Sequence, residues 1–388
     1  MRRLKKIIGL FLLSFFVVGC QGSPHLVKRS QMLMGTVVFV TAVGADESTA
    51  QQAAKAGLDE IRRLEELLST WIPTSELSKV NAAAGGGPVQ VSPETFEVLE
   101  RSLAVAKLTH GGFNIAVGPA VKAWNASGEG QVPPPEELEA LRPQIDLSHI
   151  QLDKEKQTVW LRRPGMQIDV GGIGKGYAAD LAAIVMQASG ATAGVVALSG
   201  DIKTFGRMPD DQRFVFGIQH PRKEQGEILG RIELENEAVS TAGDYQRYFM
   251  KDGIRYHHIL DPATLQPARG CQGVTVIAKE GVMADGLDTG IFVMGPNKGM
   301  ALIESLPDVE GLIVDQEGKM YVSSGLKGRL RLEPKHLSSV PKMYKGGTAP
   351  PFRCVEVLLK NPLSFVCPWN GGDTRRDALW AFLPLYKH

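Results

Sequence analysis

Cysteine is scarce in this chain, four in 388 residues. No C-x-x-C pair and no histidine cluster accompanies them, which leaves out a zinc ribbon or a thiol redox motif. Long hydrophobic runs are scarcer still. The one candidate, residues 7–18, is broken only by Gly9 and Ser14 and is too short for a comfortable transmembrane helix. An excess of either charge is also missing. The formal net charge is +1, so there is no bulk basic signal for nucleic acid. Charged residues at 22% and apolar residues at 43% are values of a globular chain and not of a disordered one. No internal repeat of fixed period is visible.

The short apolar run has its own use. Arg2, Arg3, Lys5 and Lys6 precede it and Gly19-Cys20 closes it, the layout of a signal peptide. The end of the run resembles a bacterial lipobox, which implies diacylation of Cys20 and a mature chain anchored to a membrane. An ordinary signal peptide is the alternative. Residues 1–19 are thus expected to be a leader and 20–30 a tether, with the domain outside the cytoplasmic membrane, on the periplasmic face of the inner membrane. Of the other cysteines, Cys354 and Cys367 are a possible bridge that sequence alone cannot establish.

Between these ends the chain alternates helix and strand signals. Residues 48–69 carry Leu58, Ile61, Leu64 and Leu68 at three- and four-residue spacing, which predicts a long helix. Ser92 followed by Pro93 predicts the capped start of another. The middle of the chain is β-rich, with strand patterns near residues 195–198, 214–218, 228–234, 238–241 and 274–278. Residues 158–161 and 166–170 also read as strand. They lead into Asp169-Val-Gly-Gly-Ile-Gly-Lys-Gly-Tyr-Ala-Ala-Asp180, where four glycines fall in six positions ahead of a predicted helix. A glycine turn opening a helix is a natural anion cradle. This one is neither a P-loop, since Gly176 follows Lys175, nor a G-x-G-x-x-G fingerprint. A plain structural turn stays open beside the cradle.

Asp285, Asp288 and Thr289 stand at i, i+3 and i+4 in a predicted helix over 283–292, which places three oxygens on one face. Two carboxylates and a hydroxyl are a hard-oxygen set that suits Mg²⁺ or Ca²⁺; an acidic first helical turn is the bland alternative. His257-His258 followed by Asp261-Pro262 reads as a strand end, with His258 a candidate acid or base. Beyond about residue 333 the character changes: seven prolines and two of five tryptophans fall in 334–388, a C-terminal extension to which no role is assigned.

Taken in order, Met34-Gly-Thr, Ser69-Thr-Trp-Ile-Pro, Phe113-Asn-Ile-Ala-Val-Gly-Pro, the glycine stretch, Ser199-Gly-Asp-Ile, Val239-Ser-Thr-Ala-Gly-Asp-Tyr, His257-His-Ile-Leu-Asp-Pro and Met283-Ala-Asp-Gly-Leu-Asp-Thr-Gly resemble the ApbE-type FAD:protein FMN transferases. The resemblance covers a single domain, about residues 31–333. It implies an α+β fold, ApbE-like and T-fold-like, with a mixed or antiparallel sheet core and packed helices. It also implies cleavage of FAD to AMP with transfer of FMN to a Thr or Ser of an acceptor protein. Flavin contacts are implied for Met34, Trp71, Ala116, Val117, Gly118, Asp169, Lys175, His258 and Ile259. The implied Mg²⁺ ligands are the Gly172 carbonyl, Asp285, Asp288 and Thr289, and His258 and Asp285 are the implied catalytic residues. Implied acceptors are extracytoplasmic flavoproteins such as subunits of Na⁺-translocating quinone reductases or Rnf-type complexes.

Four positions depart from the family pattern. Ser199 and Leu265 replace glycines, Ala116 replaces a common Thr, and Asp288 adds a carboxylate where Ala is common. An FAD pyrophosphatase and a non-catalytic FAD-binding lipoprotein are the rival readings. The second would have no need of Asp285 and Thr289.

Overall fold

The structure is a computed structural model that describes residues 24–333. The leader, Cys20, Cys354, Cys367 and the extension 334–388 lie outside the described residues.

Eight strands form the central sheet. They are β1 His25–Leu33, β2 Thr36–Gly44, β3 Ala193–Leu198, β4 Asp201–Phe205, β5 Ala238–Gly243, β6 Cys271–Ala278, β7 Glu310–Asp315 and β8 Met320–Val322. Their spatial order is their chain order, and every neighbouring pair is antiparallel. Helices enter as insertions in this meander. Between β2 and β3 come α1 Glu47–Leu68, α2 Pro93–Leu108 and α3 Gly174–Ala188; between β6 and β7 come α4 Gly281–Met294 and α5 Pro296–Ser305.

Period-two alternation assigns each strand residue to one of two cores. Val38, Val40 and Ala42, Val196 and Leu198, and Val274 and Val276 meet the helices. Val43, Val195, Val239 and Ile277 point the other way, onto Phe214, Phe216, Ile232 and Leu234. Those last four belong to a second, three-stranded sheet made by Phe214–Gln219, Ile228–Leu234 and Arg331–Leu332. The α+β class with an antiparallel core is therefore as expected. α1 buries Ala50, Ala53, Ala54, Leu58, Ile61, Leu64 and Leu68 along one stripe, each fully buried Leu or Ile contributing about 2 kcal/mol. The Ser92 cap and Pro93 at the start of α2 are as predicted, Ser92 Oγ accepting from Thr95 N–H at 3.3 Å.

Four local readings need correction. β1 starts at His25, inside the stretch expected to be a tether. It is an edge strand whose backbone pairs with β2 while most of its side chains stay out of the core, so the apolar alternation of a strand is weak there. Residues 166–170 join no sheet. Asn81 takes the place of a neighbouring strand, donating to the Ile168 carbonyl at 2.9 Å and accepting from its N–H at 2.7 Å. The prolines at 133–135 read as a proline-rich loop, yet Pro135–Ile145 is a helix with Pro135 at its first turn, the position where a missing N–H costs nothing. Finally, His258 and Ile259 lie between two short strands, Ile254–His257 and Leu260–Asp261, and in neither.

Candidate active site

The site is assembled where α3 begins. α4 runs antiparallel to α3, so that its successive turns meet earlier and earlier parts of the glycine stretch. At the start of α4, Asp180 of α3 accepts from the N–H groups of Gly281 and Val282 at 2.8 and 2.9 Å, supplying the cap that Glu280 does not. One turn on, Asp285 Oδ2 accepts from Gly176 N–H at 2.8 Å. A further turn on, Thr289 lies beside Gly172: a Cβ there would stand 3.2 Å from Thr289 Oγ1 and 3.3 Å from the Phe113 ring. The glycines are what permit this approach. A Cβ on Gly176 would sit 2.1 Å from the Gly281 carbonyl oxygen.

Three carboxylates converge against this junction. Oxygens of Asp201, Asp285 and Asp288, all buried, lie within 4.8 Å of one another. Asp201 is the first residue of β4 and the other two come from α4. Ser240 of β5 stands between two of them, with Oγ 2.6 Å from Asp288 Oδ2 and in a short contact with Asp201 Oδ1. Thr289 Oγ1 donates to Asp288 Oδ1 at 3.1 Å. Lys175 is the cation of the cluster, in contact with Asp201 and 3.7 Å from Asp285.

The electrostatics follow from this crowding. Burial, and then the Asp201 carboxylate, push Asp285 up to about 7. Burial, and then Asp285, also hold Asp288 above the ordinary carboxylate range. Burial alone would lower Lys175, but the Asp201 and Asp285 carboxylates outweigh it and raise its pKa. One ammonium facing three carboxylates leaves the cluster short of positive charge, and a serine hydroxyl has one proton for the two carboxylates it touches. All-oxygen donors with a charge deficit fit a hard divalent cation.

Asp201 and Ser240 occur in motifs that carry the family resemblance, yet neither appears among the site residues expected from sequence. The anion-cradle reading of the glycine turn also changes. Its N–H groups are largely taken up inside the protein: Gly171 by Asp169 Oδ1 at 2.6 Å, Ile173 and Gly174 by the Val170 carbonyl, and Gly176 by Asp285. The turn organises carboxylates and a helix contact, and Lys175 points into the carboxylate cluster.

The remaining expected residues form the surroundings. Met34 sits at the β1–β2 turn with φ +50°, its N–H donating to Glu65 at 2.7 Å and its methyl 4.0 Å from where a Cβ of Gly174 would stand. Ala116, Val117 and Gly118 form a tight turn and helix start against residues 167–169. Asp169 N–H donates to the Ile115 carbonyl at 2.8 Å, and a Cβ on Gly118 would lie 2.5 Å from the Gln167 carbonyl. Thr70 Oγ1 reaches Asp169 at 3.3 Å, and beside it Trp71 is 90% exposed.

The two histidines differ. Buried His257 has both ring nitrogens engaged, Nδ1 accepting from Ile259 N–H at 3.3 Å and Nε2 facing the Ala268 carbonyl at 2.9 Å. Half-buried His258 has Nδ1 3.2 Å from the Arg247 carbonyl, to which its own N–H also donates at 3.1 Å. A carbonyl at that position fixes the proton on Nδ1 and leaves Nε2 with its lone pair. Burial pushes His258 down to about 4, so it is neutral near pH 7.

An antiparallel α+β domain that gathers three buried carboxylates at a helix start has a donor set suited to a hard cation. Comparison with known proteins makes this particular. The ApbE family model matches residues 34–313, and the chain belongs to the ApbE family. An FAD:protein FMN transferase of Vibrio cholerae is 33% identical over 321 residues, which span 80% of this chain and 95% of that protein. One from Treponema pallidum is 31% identical over 347 residues, 84% and 95% of the two chains. Among solved structures, the ApbE protein of Thermotoga maritima aligns with a TM-score of 0.73 at 31% identity, covering 79% of this chain and 99% of that one. The flavin transferase ApbE from Vibrio cholerae gives 0.70 at 30%, with the same coverage.

Proposed function

We propose that the chain is a magnesium-dependent FAD:protein FMN transferase acting on extracytoplasmic flavoproteins from a lipid anchor at Cys20. The observation that carries the reading is the Asp201–Asp285–Asp288 cluster at the start of α3, in a chain whose relatives bear that activity by name. Asp285, Asp288 and Thr289, with the Gly172 carbonyl, are the residues that would hold Mg²⁺, and Asp201 adds a carboxylate to that set. When bound, the ion supplies charge neutralisation at a pyrophosphate.

The protein's own part is positioning and proton handling. Met34, the Ala116-Val117-Gly118 turn and Asp169 border the space for FAD, with Trp71 free to stack on a ring. Lys175 is held by Asp201 beside the carboxylates, close to where the phosphates would lie. The acceptor hydroxyl oxygen attacks the FMN-side phosphorus, a new P–O ester bond forms, and the bond to the bridging oxygen breaks as AMP leaves. His258 Nε2 is the one imidazole nitrogen of the pair with a free lone pair, so it is the candidate to take the hydroxyl proton.

The test is incubation with FAD, Mg²⁺ and an Rnf-type acceptor subunit, following AMP release and in-gel flavin fluorescence. The wild type should give both, and Asp285→Ala should lose both. Intact FAD bound with no AMP released would leave only a binding protein. AMP and free FMN with no labelled protein would make it a pyrophosphatase.

A further inference from the structure

We propose that the hairpin formed by Tyr248–Lys251 and Ile254–His257 is the docking element for the acceptor protein, receiving an extended segment that is acidic and apolar. The proposal rests on the transferase reading, because a protein co-substrate has to be recognised outside the nucleotide space.

The two faces of the hairpin are unlike. On the inner face Phe249 stacks on Tyr256 at 5.2 Å, and Tyr256 stacks on buried Trp124 at 5.5 Å. Gly130 makes room for this, since a Cβ there would lie 2.3 Å from the Phe249 ring. That face is anchored. On the outer face Tyr248 and Met250 are 41% and 56% exposed, and beside the turn Ile254, on the Phe249–Tyr256 face, is 46% exposed. The Arg255 guanidinium lies over one side of the Tyr248 ring at 4.3 Å, and the ring stays partly exposed. Among the described residues the hairpin has no third strand, so a strand edge is open to an extended chain.

Charge identifies the occupant. Along residues 247–257 the chain carries three cations, Arg247, Lys251 and Arg255, against one exposed carboxylate, Asp252. Asp244, which precedes them, is buried and already held by Arg222 at 2.6 Å through both oxygens and by Arg255 at 3.3 Å. A basic hairpin with exposed aromatic and apolar side chains suits an acidic segment with apolar side chains. The hairpin also leads to the chemistry: the Arg247 carbonyl at its base accepts from His258 N–H at 3.1 Å. A segment laid along Tyr248–Lys251 therefore ends at the histidine proposed to take the acceptor proton.

The test compares the wild type with Tyr248→Ser/Met250→Ser and with Lys251→Glu in two assays. One follows flavin transfer to the soluble domain of an Rnf-type acceptor subunit; the other follows AMP release from FAD with water as acceptor. The double variant should raise the acceptor KM about tenfold or more, which is about 1.4 kcal/mol, with acceptor-free AMP release unchanged. Lys251→Glu should raise KM at low salt, with the difference shrinking as salt screens the charge. An unchanged acceptor KM in both variants overturns the proposal. So does a parallel loss of acceptor-free AMP release, which would make the hairpin a support for the nucleotide site. A wild type that releases AMP but labels no acceptor also overturns the docking role, whereas a wild type that releases no AMP overturns the transferase reading itself.

Discussion

Gly176→Ala tests whether the glycine stretch exists for close packing of two helices. Gly176 is in α3 and is not among the positive-φ residues, so intrinsic propensity favours alanine there by about 1 kcal/mol. The contact argues the other way. The new Cβ would stand 2.1 Å from the Gly281 carbonyl oxygen, 2.5 Å from its carbon and 2.7 Å from Asp285 Cβ. Two of these neighbours are backbone atoms that cannot rotate away, so α3 and α4 must separate. Separation strains the 2.8 Å Gly176–Asp285 hydrogen bond and the Asp180 cap on α4. Overpacking costs about 1–3 kcal/mol and a lost hydrogen bond to a charged group about 1.5–3 kcal/mol. After the propensity gain, a net loss of about 2–5 kcal/mol is expected, a large share of a domain's stability. Urea denaturation followed by far-UV circular dichroism measures it. Gly174→Ala is the control: its nearest contact would be a Val170 methyl at 3.2 Å, which can shift, and its stability should stay within about 1 kcal/mol of wild type. A Gly176→Ala protein as stable as wild type would refute the packing argument.

Three further outcomes follow from the geometry. The two glycine replacements in the family pattern both occupy left-handed turns, Ser199 at φ +60° and Leu265 at φ +59°, but with opposite consequences for a return to glycine. Exposed Ser199→Gly should stabilise by less than about 1 kcal/mol; Leu265, 1% exposed, loses about 2 kcal/mol net because lost burial exceeds the relieved strain. In thermal melts the two variants should move in opposite directions. Second, Mg²⁺ should stabilise the purified chain by about 2.7 kcal/mol at a hundred times its dissociation constant, and Asp285→Ala should show no such gain. Third, His257 and His258 have folded pKa values below the ordinary 6.5, lowered by burial, His258 to about 4. The unfolded chain then binds more protons in that window, so their contribution to stability is complete above about pH 7. It is lost as pH falls from 6.5 toward 4. Asp285 and Asp288 act with the opposite sign, so the difference between wild type and His258→Gln isolates the histidine: urea midpoints should diverge less at pH 5 than at pH 7.5.

What the sequence made legible divides along a physical line. α2 could be placed to its first residue because Ser92-Pro93 satisfies a local requirement of the helix start, and α1 because the apolar spacing from Leu58 to Leu68 repeats over about three turns. The Asp285–Asp288–Thr289 face was legible for the same reason: spacing on one helix fixes which oxygens share a side. Asp201 and Ser240 were not, because they come from two strands that only the tertiary fold brings to α4. β1 was hidden because an edge strand needs backbone pairing more than apolar alternation, and residues 166–170 misled because Asn81 satisfies an extended segment that no strand joins. The glycine stretch shows where pattern alone runs out. Clustered glycines at a helix start serve equally to admit an anion or to admit another helix, and composition is the same in both cases. The two uses differ in what the backbone N–H groups meet. Here Asp169 and Asp285 take the N–H groups of Gly171 and Gly176, so the positive end of α3 already faces carboxylate. An anion could be held there only with the help of a cation, so the proposed phosphate role of this stretch depends on the cation proposed at α4.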